Sequence, residues 1–364
     1  MVCNRIKILY VIDGLNAGGK ERQLVEILKY LDKNKFKIGV VTLNKSQFYT
    51  ETVKKLTEYF CELDKIHNKV KPLFNIRRCF KEFKPDIVHT FDSLSSFYAY
   101  RISKKYNSIF INGSIQDAGI EKGLEYKFKR QYLKKSDLVI SNSQVGLDVY
   151  KVEGKVLYNA IDMNRFKEKN NTGKEYNIIT VANFSDYKDY DTFFKAALKL
   201  VKDNIVDYVY IIGSGPNEEK YKKLVQNSDD KVNSKFKFLG RKSNVEDYLS
   251  LCDVGILCST SEFGEGISNS ILEYMASGLI AVSTDIGATK EIIIDGYNGF
   301  LVNEKDFEKI YELVKYVKTD GTKIKEIKDN ALSTIRNKFG YEKCINKLTG
   351  IYIDLMKESL DKYN

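Results

Sequence analysis

The chain has few of the residues that interrupt, cross-link or anchor a protein. Only 3 prolines occur in 364 residues, and no long polar low-complexity tract accompanies them. That argues against large disordered regions. No apolar run reaches the length of a membrane-crossing helix. The opening MVCNRIKILYVIDGLNAGG has a short apolar stretch interrupted by Asp13 and no small-residue cleavage site, so it reads as a buried first strand rather than a secretory leader. The six cysteines, Cys3, Cys61, Cys79, Cys252, Cys258 and Cys344, are scattered, with no CxxC pair and no nearby histidine. This speaks against metal or redox work and fits free buried thiols in a reducing cytoplasm. No tandem repeat is visible.

What is present suits two cores. The length exceeds one ordinary domain, and a hydrophobic content of 43% supplies apolar surface for a pair of about 150–180 residues each. The net charge of +10 is lopsided. Residues 1–160 carry 29 Lys and Arg against 17 Asp and Glu, and the rest of the chain is close to balance. The first half is therefore expected to face something anionic.

Apolar strands alternate with amphipathic stretches throughout. IKILYVI (6–12), FKIGVVTL (36–43), DIVHTF (86–91), SIFINGS (108–114) and DLVISNS (137–143) read as strands of the first half. YNIITVANF (176–184), DYVYIIGSG (207–215), KFKFLG (235–240), DVGILCS (253–259) and LIAVST (279–284) repeat the pattern. YDTFFKAALKLVKD (190–203) reads as a helix opening on an Asp N-cap. The polar, unpatterned 163–177 reads as the linker. The expectation is α/β: two doubly wound domains, 1–165 and 174–340, with ligands at the carboxyl ends of strands in a cleft between them.

EGISNSILEYMASG, Glu265 to Gly278, holds two carboxylates eight residues apart behind a glycine-bearing loop. The spacing predicts a short helix that stops at Ser277-Gly278, with Glu265 at its N-terminus and Glu273 about two turns along. A helix start offers unpaired N–H groups and a positive dipole end that suit a diphosphate. Two acids flanking such a cradle can hold hydroxyl groups at either end of a nucleotide sugar. Two surface acids on a solvated helix would give the same spacing.

This segment resembles the E-x7-E segment of retaining family-four glycosyltransferases, whose GT-B fold has two facing Rossmann-like domains. AGGKERQL (17–24), PDIVHTF (85–91), VANFSDYKDYDTFFKAA (181–197), IIGSGP (211–216) and EIIIDGYNGFLV (291–302) are similar to that family in the same order. The resemblance implies that Glu265 contacts the donor sugar, that Glu273 binds the ribose, and that Gly266, Ile267, Ser268 and Asn269 offer backbone N–H groups. It implies that Lys188 neutralises the donor diphosphate, a role suited to a compact ammonium. It sets Gly18 and Gly19 near the donor phosphate and acceptor, and Gly213, Gly215 and Arg241 around the nucleotide. Asn183 stands where many relatives carry an arginine, which leaves a cation clamp incomplete unless Arg241 or Lys20 substitutes.

Of the two histidines, His67 reads as a surface loop residue. His89, at the end of the PDIVHTF strand, is expected to point toward the cleft as a catalytic or structural group. Where relatives often have a further histidine, this chain has NGSIQDAG, so Ser114, Gln116 or Asp117 is a candidate to hold the sugar. The resemblance implies a retaining reaction governed by orientation and electrostatics, with no cofactor and no metal assigned, and UDP as the default nucleotide by family frequency. A C-terminal helix over about 341–364 is expected to pack back on the first domain.

The basic amphipathic stretches 69–84 and 121–135 suit an anionic membrane surface. They imply a cytoplasmic enzyme, peripheral on the inner face of the membrane, that meets a glycan or lipid-linked acceptor in bacterial surface polysaccharide synthesis. No nucleic-acid motif is present. Two other readings are a non-catalytic relative that binds sugar nucleotides and a nucleotide-dependent oxidoreductase. For the latter, GSGPNEE lacks the third glycine of the dinucleotide fingerprint.

Overall fold

The computed structural model describes residues 5–46, 48–63, 71–117, 123–166, 175–262 and 264–361. His67, residues 167–174 of the linker, and the first residues of both basic stretches lie outside the described residues. The chain divides into two units, Met1–Ala160 with Tyr341–Asn364, and Ile161–Gly340.

The first unit is a seven-stranded parallel sheet of β1 (Ile6–Ile12), β2 (Phe36–Thr42), β3 (Tyr59–Glu62), β4 (Ile87–Thr90), β5 (Ile109–Ile115), β6 (Leu138–Ser141) and β7 (Lys155–Val156), in the order β3-β2-β1-β4-β5-β6-β7. β1 is central, and Ile8 through Ile12 are fully buried, so the continuous apolar run has helices on both faces. The helix Lys71–Phe83 buries Ile76, Cys79, Phe80 and Phe83 against one face. The helix Gly19–Tyr30 covers the other, together with the C-terminal helix Tyr341–Asp361, whose Ile345, Leu348, Ile351 and Tyr352 join that core.

The second unit is a six-stranded parallel sheet of β8 (Ile178–Val181), β9 (Val209–Ile212), β10 (Phe236–Phe238), β11 (Val254–Leu257), β12 (Ile280–Thr284) and β13 (Phe300–Val302), in the order β10-β9-β8-β11-β12-β13. The sheet grows from β8 to one side and then, from β11, to the other. The connections after β8 and β11 therefore lead to opposite sides of the sheet, and the carboxyl end of these two neighbouring strands is the position where doubly wound sheets hold ligands.

Three details differ from the sequence expectations. The strands of the second unit are shorter, and β8, β9, β10 and β11 give up their last expected residues to loops at the carboxyl edge. The helix Tyr190–Lys202 is capped by Asp189, whose carboxylate accepts from Thr192 N–H at 3.0 Å. Asp191 instead sits in the first turn and binds Lys220 and the Tyr221 hydroxyl. Cys61 is half-buried rather than buried, because β3 is an edge strand.

Candidate active site

The loops after β8 and β11 are tied together by a short antiparallel bridge between Lys188 and Ser259. Asp189 N–H donates to the Cys258 carbonyl at 3.1 Å, and Thr260 N–H to that of Tyr187 at 2.9 Å. On this bridge Lys188 Nζ forms an ion pair with Glu265 Oε2 and a 3.0 Å hydrogen bond to Ser259 Oγ. Ser259 Oγ in turn lies 2.9 Å from Glu265 Oε2. Both charged side chains are mostly buried, 8% and 18% exposed, so removing either strands its partner's charge in a partly dry site.

The backbone of Glu265 is fixed from β12. Its carbonyl accepts from Ala288 N–H at 2.7 Å. Gly287, at φ +51°, passes so close that a Cβ would sit 2.1 Å from that oxygen. Gly266, Ile267 and Ser268 follow as a buried segment, and the helix Asn269–Ala276 starts immediately after it.

That helix is stitched across the gap to the end of β8. Ser270 Oγ donates to the Val181 carbonyl at 2.6 Å, and the Tyr274 hydroxyl accepts from Val181 N–H at 2.8 Å. The Tyr274 ring fits because Gly255 of β11 has no Cβ, which would lie 2.2 Å from it. The helix ends as the Ser-Gly pair predicts. Gly278 adopts φ +72°, and Leu279 N–H returns to the Tyr274 carbonyl at 3.0 Å. Glu273, one position before Tyr274, is 2% exposed.

The structure thus brings Lys188 and Glu265 together, with Gly266 through Asn269 leading into the adjoining helix start. Other expected residues have contacts of their own. Gly213 and Gly215, expected around the nucleotide, face the loop after β8. A Cβ on either would lie 1.8 Å from the Ala182 carbonyl oxygen or 2.6 Å from that of Phe184. Gly213 N–H is already spent on the Gly240 carbonyl at 3.0 Å. Their glycine identity therefore serves loop packing. Arg241 is exposed after the edge strand β10, two strands from β8, or about 10 Å across the sheet. Asn183 is exposed, but its amide is engaged. It binds the Tyr187 hydroxyl at 3.0 Å and accepts from Ser185 Oγ at 3.1 Å. The Tyr187 ring lies 5.3 Å from Lys188 Nζ.

In the first unit His89 corrects the expectation of a residue pointing to an open cleft. It is 3% exposed, with Nδ1 2.8 Å from the Tyr352 hydroxyl. Its Nε2 fills the space where Gly113 lacks a Cβ. Burial pushes its pKa down to about 3, so the ring is neutral and structural. Gly18 and Gly19 begin their helix, but the side-chain space at Gly18 is taken by the Glu21 carboxylate, where a Cβ would meet Oε2 at 2.2 Å. Burial raises the Glu21 pKa. This helix start therefore already holds an acid of its own. Lys20, a candidate substitute cation, pairs with Asp92 at 3.5 Å. Ser114 is buried beside Asn112, while Gln116 and Asp117 are half-buried at the end of β5. Lys129, one of the cations of the basic stretch 121–135, is buried against Tyr150 and lies 3.4 Å from Asp117.

Sequence reasoning named neither Ser259 nor Thr284. Both stand at or just past the carboxyl ends of neighbouring central strands, and that position alone marks small hydroxyl residues in a doubly wound sheet as worth attention.

Residues 161–334 match the family described as Glycosyl transferases group 1, and residues 17–165 match Glycosyltransferase Family 4. The chain is 22% identical over 389 aligned positions to the UDP-Gal:alpha-D-GlcNAc-diphosphoundecaprenol alpha-1,3-galactosyltransferase of Escherichia coli, covering 97% of this chain and 98% of that protein. It is 25% identical to N-acetyl-alpha-D-glucosaminyl L-malate synthase of Bacillus anthracis over 56% of this chain, a match that spans 54% of that relative. The crystal structure of Anabaena HepE in complex with UDP-glucose superposes with a TM-score of 0.81 at 17% identity, over 96% of this chain and all of that one. With both halves matched in order and both sheets shared with such a structure, the chain belongs to glycosyltransferase family four, a family of retaining enzymes, and has the GT-B fold.

Proposed function

We propose that the enzyme moves a sugar from a UDP-sugar donor to a lipid-linked glycan in the synthesis of a bacterial surface polysaccharide. The observation that carries this reading is the Lys188–Ser259–Glu265 group at the point where the loops after β8 and β11 are bridged. A cation suited to a departing diphosphate is held there beside a carboxylate suited to sugar hydroxyls, next to a helix start. In this reading Lys188 neutralises charge on the leaving diphosphate, Glu265 orients the sugar, and Gly266 through Asn269 offer backbone N–H groups. Glu273 binds the ribose. The unit Ile161–Gly340 holds the donor, and the first unit holds the acceptor. UDP and the polyprenyl diphosphate acceptor follow the E. coli relative named above, and HepE, crystallised with UDP-glucose, supports the same nucleotide.

The test is a thermal-shift screen of the full chain with UDP, GDP, ADP and dTDP, followed by UDP release from a panel of UDP-sugars with lipid-linked acceptors. Lys188→Ala lowers turnover by about a hundredfold. Glu273→Gln weakens UDP binding by about tenfold. Unchanged kinetics and binding in both variants would overturn the assignment.

The enzyme is also proposed to work at the inner face of the membrane. Leu124 is 85% exposed and Phe128 47% on the helix Leu124–Lys135, beside Lys127, and Phe74 is 69% exposed on the helix Lys71–Phe83. Apolar side chains standing proud among cations suit an anionic lipid surface. Flotation with vesicles containing phosphatidylglycerol recovers the wild-type chain, and the double variant Leu124→Asp, Phe128→Asp stays in solution. Equal recovery of both would exclude this face.

A further inference from the structure

We infer that Ser259 is a positioning residue for the donor diphosphate: its hydroxyl, shared by Lys188 and Glu265, holds the ammonium still and leaves one N–H for a phosphate oxygen. The inference rests on the reading of Lys188 given above and deepens that same site.

Proton counting fixes the arrangement. An ammonium can only donate, so at 3.0 Å Ser259 Oγ accepts from Lys188. The single proton of the hydroxyl then goes to Glu265 Oε2, 2.9 Å away. Glu265 Oε2 thus receives two donors, and Lys188 spends two of its three N–H bonds on set acceptors. Among the described residues no third acceptor meets Nζ, and the Tyr187 ring stands 5.3 Å away.

A lysine on a four-carbon stem has many rotamers to lose, and a lone contact with a carboxylate would let the two side chains swivel together. Ser259 supplies a second anchor that cannot swivel. Its N–H donates to Thr284 Oγ1 at 3.0 Å, and the Thr284 hydroxyl returns to the Ser259 carbonyl at 3.1 Å. Thr284 is fully buried at the end of β12, and Ser259 is itself buried. Both backbone groups of Ser259 are met by the Thr284 hydroxyl, so its own hydroxyl has no local task besides these two charged side chains. The place of Nζ is therefore referred to two central strands.

The experiment is calorimetric titration of the full chain with UMP and with UDP, because the second phosphate is what Lys188 is read to bind. GMP with GDP and AMP with ADP are run beside them, so that a different base is not mistaken for absence of binding. Ser259→Ala binds the monophosphate as the wild type does and loses about tenfold of the advantage of diphosphate over monophosphate. Ser259→Thr, which keeps the hydroxyl, recovers most of it, and Lys188→Ala loses it all. Thr284→Val, which frees the anchor and leaves Ser259 in place, gives a smaller loss in the same direction and serves if Ser259→Ala fails to fold. Full retention of the advantage in Ser259→Ala, an equal loss in Ser259→Thr, or equal weakening of both nucleotides would overturn the inference. If Lys188→Ala loses the advantage and Ser259→Ala keeps it, the assignment of Ser259 alone falls. If the wild-type chain binds no diphosphate better than its monophosphate, the reading of Lys188 fails and this inference fails with it.

Discussion

The hydroxyl of Tyr352 lies 2.8 Å from Nδ1 of His89, so a residue of the C-terminal helix satisfies a buried ring at the end of β4. The same hydroxyl is 3.0 Å from that of Tyr10 on β1. Tyr352→Phe leaves His89 and Tyr10 buried with a lost partner and is expected to destabilise the chain by about 1–3 kcal/mol. Urea unfolding measures this, and a loss below the precision of the midpoint would show that the network adds nothing.

The same ring sets a pH dependence. The folded chain holds His89 neutral down to about 3, whereas the unfolded chain protonates it near the ordinary 6.5. Between those values the unfolded state binds more protons, so stability is full above about pH 6.5 and declines as the pH falls toward 3. His89→Asn removes that part of the slope. Urea midpoints collected between neutral and mildly acidic pH for both proteins provide the comparison, and parallel curves would refute it.

Gly287 is the second place where a small change has a clear sign. A methyl group there meets the Glu265 carbonyl and must be carried at positive φ. Gly287→Ala is expected to cost about 1–3 kcal/mol of stability. It also shifts Glu265 away from Lys188, so turnover should fall further than the loss of folded protein explains. Activity normalised to the folded fraction separates the two effects.

Asn183 offers a gain rather than a loss. Asn183→Arg gives up the contact with Tyr187 and adds a guanidinium close to the lysine loop. UDP should then bind several-fold tighter, with the gain shrinking at high salt because an exposed charge is screened. Calorimetry at two salt concentrations reads both parts, and an affinity that does not respond to the substitution would show that this loop does not face the diphosphate.

Much of the architecture was legible in residue order. Runs such as ILYVI and VGIL are continuously apolar because both sheet faces are covered, and they lie in β1 and β11. β3 and β13 escaped because YFCE is half-exposed at an edge and FLV is only three residues long. Lys188 and Glu265 were marked through the resemblance, and the ion pair between them joins residues 77 apart, which no local pattern encodes. Ser259 and Thr284 went unnamed, since their contacts come only from sheet order. His89 was misread because the helix that buries it begins at Tyr341, far along the chain from β4.

The C-terminal helix also sets an order of assembly. Ile345, Leu348 and Ile351 fill a core whose other walls come from the first 160 residues, while everything between 161 and 340 closes on itself. During synthesis the middle of the chain can reach its native packing while the beginning still waits. Until Tyr352 has been made and has docked, the Tyr10 hydroxyl and Nδ1 of His89 lack the partner that the native packing gives them.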